Sequence, residues 1–347
     1  MLNKIKENQL INNLIKNFNR TYLQINEAHC SDAELLQIPT GKNSILAVTT
    51  DSISEEINVG LYKDLYLAGW MIVMVNLSDL AAVGAEPLGI VISEIFPPDL
   101  NELFKTKLQK GISDACNECN TYVLGGDTNF GNQLILNGTA LGIIEGSKII
   151  SRIGCQQNDI LYASGKIGNG NAFALSKLLY PSELNYQFKP KARIKEGKII
   201  REYASACMDT SDGVIAALDQ LLRLNNIGFE LDDNWKTAIE VNAKQLFDKL
   251  ELALWLLLAG QHGEFELIFT IPESNEKEFL STANAIDWKP IKIGNVIEEA
   301  EIKLPIYNKI VTIDGERIRN LNNQTSFNVS EYLKSLLEMD KQIRENT

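Results

Sequence analysis

The chain has 347 residues, 45% hydrophobic and 22% charged, the balance of a soluble globular protein long enough for two ordinary domains. A formal charge of −12 argues against a surface built to wrap nucleic acid or lie on an anionic membrane, while phosphates bridged by metal ions stay compatible with it. Five widely spread cysteines speak against a disulfide framework and fit a reducing cytoplasm. Residues 1–18 mix Lys, Asn and Glu with Leu and Ile and carry no uninterrupted apolar core, so no signal peptide is expected. The apolar run at 65–75 is too short to span a bilayer, and a cytoplasmic protein is the default expectation.

In chain order, residues 2–18 read as an amphipathic helix with Leu2, Ile5, Leu10, Leu14 and Phe18 on one stripe. Residues 44–50 are β-rich and end at Thr50-Asp51. From Leu65 an apolar run continues through 73–87, where Ala, Leu and Met favour a helix that Gly84 and Pro87 would stop. Such a helix should be largely buried, yet Asn76 and Asp79 sit in it on one face. A buried carboxylate without a partner costs several kcal/mol. Asp79 is therefore expected to meet a cation, a donor cluster or water in a cleft, unless it only caps or hydrogen-bonds locally. Residues 88–95 form a strand closed by Pro97-Pro98, and 100–118 a helix whose end carries Cys116 and Cys119. A short strand at 121–124 runs into Gly125-Gly126-Asp127, and 134–144 is strand-like, with Gly138 and Gly142 marking bends or bulges. Strands and helices mix without a strict βαβ rhythm, so this half reads as α+β.

A second unit opens near Arg152, which divides the chain into 1–150 and 151–347. Residues 159–164 form a strand, 165–170 a glycine-rich turn, and a helix follows from Asn171. Residues 185–192 read as a loop and 194–206 as a helix. Cys207-Met208-Asp209-Thr210-Ser211-Asp212-Gly213 then leads into a helix ending near Leu224. Strands are expected at 229–231, 265–270 and 291–296, and a charged helix at 329–344 with Ser330 as N-cap.

Four acidic motifs share one grammar, a carboxylate beside small or hydroxyl residues after a strand or apolar segment. They are Thr49-Thr50-Asp51, Asn76-Leu77-Ser78-Asp79, Gly125-Gly126-Asp127 and Asp209-Thr210-Ser211-Asp212, with Asp32 after Cys30-Ser31 a candidate fifth. Glycines let backbone amides approach a phosphate, hydroxyls add neutral oxygen ligands, and an all-oxygen set favours a hard cation such as Mg²⁺. Gathered carboxylates repel, so a shared site is stable mainly with metal present. Each motif alone is an ordinary turn composition; their recurrence carries the weight. The loop Gly165-Lys166-Ile167-Gly168-Asn169-Gly170 lacks the dinucleotide-binding spacing, and Gly41-Lys42-Asn43-Ser44 lacks the upstream glycine of a Walker loop. His262, in the polar loop Gly260-Gln261-His262-Gly263-Glu264, suits a functional loop and an ordinary turn equally.

Together these motifs resemble the thiamine-phosphate kinase family, in the superfamily of aminoimidazole ribonucleotide synthetase, selenophosphate synthetase and the hydrogenase maturation factor HypE. The resemblance spans about residues 31–296 and rests on Thr49-Thr50-Asp51, residues 75–87, Gly125-Gly126-Asp127-Thr128, Arg152 with Gly154, and Asp209 to Gly213, which matches the D-x-S-D-G of the kinase branch. It implies a two-domain aminoimidazole ribonucleotide synthetase-like fold, α+β then α/β, whose N-terminal sheet joins that of a second copy in a barrel-like homodimer interface. It implies ATP and several Mg²⁺ ions in the cleft. Asp51, Asp79, Asp127, Asp209 and Asp212 match metal positions, with Asp32 and Thr50 a looser match. Gly126, Asp127, Arg152 and Ser211 match nucleotide positions. The implied reaction passes the γ-phosphoryl of ATP to thiamine monophosphate, with no catalytic residue beyond metal and phosphate ligands.

Three departures stand out. The paired Asp near the family's N-terminus is Ser31-Asp32 here. A substrate-contacting His, seven residues after the metal Asp, corresponds to Asn58. The family's G-G-E-D-Y-E-L corresponds to Gln261-His262-Gly263-Glu264-Phe265-Glu266-Leu267, which loses the substrate-side acid at Gly263 or moves it to Glu264. Two of these fall on the acceptor side, so two alternatives stand beside the kinase. One is a superfamily enzyme with another acceptor that releases ADP and phosphate. The other is a nucleotide-binding protein without turnover.

Overall fold

The computed structural model describes residues 4–15, 21–27, 29–38, 44–180, 186–325 and 328–346. Its first sheet comprises β1 (Glu34–Gln37), β2 (Ser44–Ser52), β3 (Glu86–Phe96), β4 (Val123–Phe130) and β5 (Ile135–Glu145) in the order β1-β2-β5-β3-β4. Only the β3–β4 pair is parallel. Side chains alternate along β2 and β5, burying Ile45, Ala47 and Thr49 with Leu136, Ala140 and Ile144, so the sheet has one core face.

Four helices belong to the same stretch of chain: α1 (Lys6–Ile15), α2 (Ser54–Asn58), α3 (Leu65–Ala82) and α4 (Glu102–Glu118). Asp64 caps α3 by accepting the Tyr66 amide at 3.1 Å, and Gly84, with φ +65°, lies just past its end. Helix α3 is apolar all round and lies between the first sheet, α4 and the second sheet. It is long and apolar enough to cross a membrane, but 78% of it is buried within the protein, the state of a core helix. The α3–α4 crossing is close because both helices present glycine there. A Cβ on Gly69 would lie 2.0 Å from the Leu108 carbonyl oxygen, and one on Gly111 2.0 Å from that of Tyr66.

The second sheet runs β12-β11-β8-β10-β6-β9-β7. Its strands are β6 (Ile160–Ala163), β7 (Ala206–Asp209), β8 (Gly228–Leu231), β9 (Leu267–Ile271), β10 (Ile291–Ile297), β11 (Ile302–Ile306) and β12 (Lys309–Ile313). Only β8–β11 is parallel. Helices α5 (Asn169–Leu178), α6 (Ile194–Tyr203) and α7 (Val214–Asn225) pack with it, and helices Gly315–Gln324 and Val329–Asn346 close the chain. One apolar cluster, from Leu35 through α3 to Phe269 and Trp288, is continuous across both sheets.

Several expectations are corrected. Gly125-Gly126-Asp127 is not a turn after a strand but the middle of β4, which runs on to Phe130. Gly138 marks no bulge, whereas Gly142 lies opposite the register shift in β3 between Pro87 and Gly89; β2–β5 pairing is unbroken through both. Gly138 leaves room for α3, since a Cβ there would sit 2.4 Å from Asn76 Nδ2. The helix from Ile194 ends at Tyr203, and Ala206 already belongs to β7. The last helix starts at Val329, and Asn328 rather than Ser330 accepts the amide of Glu331, at 3.1 Å. Of the expected N-terminal stripe, Ile5 is buried and Leu10 exposed, while Leu2 and Phe18 lie outside the described residues. Helix α1 docks on the second half of the chain, where the side-chain amide of Asn8 donates to Gln220 at 3.2 Å and the Lys6 amide to Asn320 at 3.1 Å.

Gly111→Ala forces a methyl into a carbonyl oxygen and is expected to destabilise the fold by about 1–3 kcal/mol. Urea unfolding checks this against Lys107→Ala on the exposed face of α4, expected within about 0.5 kcal/mol of wild type.

Candidate active site

The site is assembled on α3, where the two sheets meet. Strand β2 brings Thr49 and Asp51 towards the helix, α3 supplies Asn76, Ser78 and Asp79, and β7 ends at Asp209. Each buried polar group has a donor or acceptor from another element. Thr49 Oγ1 donates to Asp79 at 2.5 Å, and Ser78 Oγ donates to Asp209 at 2.6 Å. Asn76 Oδ1 accepts the Asp51 amide at 3.0 Å while its Nδ2 donates to Ile72 O at 2.9 Å. Asp209 also accepts Ser211 Oγ at 3.0 Å. Arg152 reaches across from the linker between the sheets, its Nε and Nη2 donating to the two oxygens of Asp32 at 3.0 and 2.8 Å.

Asp32, Asp79 and Asp209 each offer a carboxylate oxygen within 4.8 Å of the others. Ligands around Mg²⁺ lie roughly 3–4 Å apart, given bonds of about 2.1 Å, so these three oxygens stand slightly wider than the spacing a Mg²⁺ site uses. The electrostatics agree. Burial, then Asp209, Asp212, Glu56 and Asp32, push Asp51 up to about 7. Burial and Asp32 push Asp209 up to about 6, against the pull of the Ser78 hydroxyl and Arg152. Asp79 is driven well above the usual carboxylate range by burial and by Asp51, Asp209 and Asp32. Burial opposes the charge on Arg152, and Asp32, Asp209 and Asp79 more than restore it. A buried all-oxygen cluster that repels itself fits a hard divalent cation.

The structure brings Asp32, Asp51, Asp79, Asp209, Ser211 and Arg152 together, and Asp212 lies near enough to raise Asp51. Five candidates stand elsewhere. Thr50, next along β2, faces away, bonding Gly138 O at 2.7 Å and Thr139 at 3.1 Å; the hydroxyl at the cluster is that of Thr49. Gly126 and Asp127 lie on β4, exposed along its whole length at the sheet edge, with Asp127 accepting the Asn129 side chain at 2.6 Å. Asn58 is exposed at the end of α2. Glu264 is buried and takes the Gly170 amide at 3.0 Å, at the start of α5. That carboxyl fills the helix N-terminus where a dinucleotide phosphate would otherwise sit, which removes the Gly165–Gly170 loop from the phosphate sites. Thr49 and Ser78 are the polar residues that sequence reasoning left unassigned; their signal was the hydroxyl beside each carboxylate.

Comparison with known proteins bears on the chain as a whole. Residues 30–144 match the model of the AIR synthase related protein, N-terminal domain. A thiamine-monophosphate kinase of Buchnera aphidicola is 31% identical over 280 residues, covering 76% of this chain and 84% of that protein. The chain belongs to the thiamine-monophosphate kinase family. The family member of Methanocaldococcus jannaschii is 30% identical over 302 residues, 82% of this chain and 89% of its own. Among solved structures, AaThiL complexed with AMPPCP and TMP superposes with TM-score 0.72 at 22% identity, covering 90% of this chain and 98% of its own. The fold and superfamily expected from the motifs are thus those found. Against the family pattern, the departures at Asn58 and residues 261–264 fall outside the carboxylate cluster.

Burial pushes Glu264 up to about 8, against the amides of Gly168 and Gly170, while its unfolded value is about 4.3. The native state therefore keeps a proton that the unfolded chain has lost between those values. The stability this contributes is complete below about pH 4.3 and is lost as pH rises through about 8. Glu264→Gln removes that slope, so its stability relative to wild type should rise by about 2–4 kcal/mol between about pH 5 and about pH 8.5 in urea unfolding. A difference independent of pH would show the carboxyl ionised throughout.

Proposed function

We propose that this chain is a kinase that transfers the γ-phosphoryl of ATP to the phosphate of thiamine monophosphate, giving ADP and thiamine diphosphate. The observation that carries the reading is the buried carboxylate cluster on α3, in a chain of the thiamine-monophosphate kinase family. Binding of AMPPCP and TMP by the structurally similar AaThiL supports the pairing of nucleotide with acceptor. Asp51, Asp79, Asp209 and Asp212 would hold Mg²⁺, with Asp32 as a further ligand; the place proposed for Thr50 falls to Thr49, and Asp127, on the exposed edge strand β4, stands apart from this set. When bound, Mg²⁺ neutralises phosphate charge and lets two anionic substrates approach.

The protein's own part is positioning and charge. Thr49, Ser78 and Asn76 fix the carboxylates and the Asp51 backbone. Arg152, held by Asp32, is a fixed cation beside the nucleotide, which Gly126, Asp127 and Ser211 would also contact. Asn58 and Glu264 would serve the acceptor, Asn58 directly and Glu264 by holding the start of α5. The cleft lies between units 1–150 and 151–347. Five cysteines that form no disulfide suit a cytoplasmic enzyme of thiamine diphosphate biosynthesis.

Phosphorus NMR with Mg·ATP and thiamine monophosphate should show thiamine diphosphate and ADP in equal amounts without free phosphate. Free phosphate would point instead to a superfamily reaction on another acceptor. Asp79→Asn and Asp51→Asn should each lower kcat by about 10²-fold or more and weaken Mg·ATP binding, since removing one transition-state contact commonly costs that much. Unchanged Mg·ATP affinity in both variants would sink the metal assignment.

A homodimer through the first sheet belongs to the same proposal. Leu88 and Val91 on β3, with Tyr122, Val123, Leu124 and Phe130 at β4, are exposed beside an unpaired sheet edge. Such an apolar edge calls for a cover. Sedimentation should give a dimer that Leu124→Glu with Phe130→Asp dissociates to monomer; a monomeric wild type would refute it.

A further inference from the structure

The Tyr62 hydroxyl and His262 Nε2 lie 2.8 Å apart, although 200 residues separate them in sequence. Tyr62 sits between α2 and α3, on the Asn58 side; His262 belongs to the loop that replaces the family's Gly-Gly-Glu-Asp. Tyr62 is 1% exposed, and burial holds His262 neutral by pushing its imidazole down to about 4. Aromatic rings enclose the pair: Phe173 from α5 stacks on Tyr62 at 6.3 Å, and Phe188 meets the His262 ring edge-on at 5.3 Å. Two polar atoms in an apolar box each need a partner, and here each is the other's.

Both sides of this contact lead to the site. Asn58 is four residues before Tyr62, and the turn between them is closed by Leu61 N–H donating to Glu56 O at 2.8 Å. On the other side, Gly263 donates its amide to Ser211 O at 2.9 Å, and a Cβ there would lie 1.6 Å from Thr210 O. His262 is therefore one residue from a backbone contact with the Asp209–Gly213 segment that has no slack.

We infer that Tyr62 and His262 form a clasp between the two halves that sets the position of the acceptor side of the cleft relative to the nucleotide side. They are positioning residues, acting through the 53–62 segment and the 260–266 loop. The catalytic consequence rests on the kinase reading above; the clasp itself does not.

Full-length Tyr62→Phe, His262→Phe and the double variant test it. Hydrogen exchange should quicken in residues 53–62 and 260–266 together in each single variant, and no further in the double, with α4 unchanged. Quickening confined to the mutated segment, or none, overturns the clasp. In steady-state kinetics each single variant should raise the KM for thiamine monophosphate about 5–20-fold, with the double no worse. The KM for ATP should stay within about twofold. Equal losses for both substrates, or additive losses in the double, overturn the positioning role. A wild type that makes no thiamine diphosphate refutes the kinase reading, and the exchange data then decide the clasp alone.

Discussion

Gathering several carboxylates against one apolar helix is the constraint on which the rest of the structure depends. Helix α3 can be buried from all sides because nearly every side chain on it is apolar. Its polar residues must then find partners in whatever packs against them, since an unpaired buried polar group costs about 1–3 kcal/mol. Asn76 is answered by the backbone of β2, Asp79 by Thr49, and Ser78 by Asp209 on β7. These contacts tie the first sheet to the second through the helix. The bonds that satisfy α3 also fix how the two halves face each other.

The same arrangement leaves an electrostatic debt. Hydrogen-bond donors lower the cost of Asp79 and Asp209, yet burial and mutual repulsion still raise both, and Asp51 with them. Arg152 answers Asp32 with both of its facing nitrogens, which leaves the other three to share what remains of its field. A protein that needed only stability would do better with apolar residues here. The cluster is intelligible as a receptacle for cations arriving with phosphates, which turn the repulsion into binding energy.

Much of this was legible in the sequence, and the failures have physical causes. The buried helix with Asn76 and Asp79 on one face followed from helical spacing alone, and Gly84 ended it as expected. Strand β4 was cut short at Leu124 because Gly125, Gly126 and Asp127 are poor strand formers; their pairing with β3 is non-local and outweighs propensity. Thr50 and Thr49 were exchanged because strand parity turns on a single residue, and two adjacent threonines offer no way to set it from composition. The docking of α1 on α7 and on helix Gly315–Gln324 rests on contacts more than 200 residues apart, which no local pattern encodes. Glu264 read as a substrate acid because the family motif places an acid there; only the fold shows it turned inward to the start of α5.

The two sides of the cleft also differ in how much change they tolerate. Each carboxylate on α3 and β7 is coupled to the others through charge and to a specific donor through a hydrogen bond, so replacing one disturbs all. On the acceptor side, the segments around Asn58 and His262 are joined largely by ring packing and by one hydroxyl-to-imidazole bond. Ring packing is less directional than a charge network and accepts compensating substitutions more readily. That asymmetry explains why two of the three departures from the family pattern fall on the acceptor side and leave the four central carboxylates in place. It also gives the Tyr62–His262 pair its physical rationale: a loop that has exchanged small residues for a bulky polar one must satisfy that residue, and the nearest partner lies across the cleft.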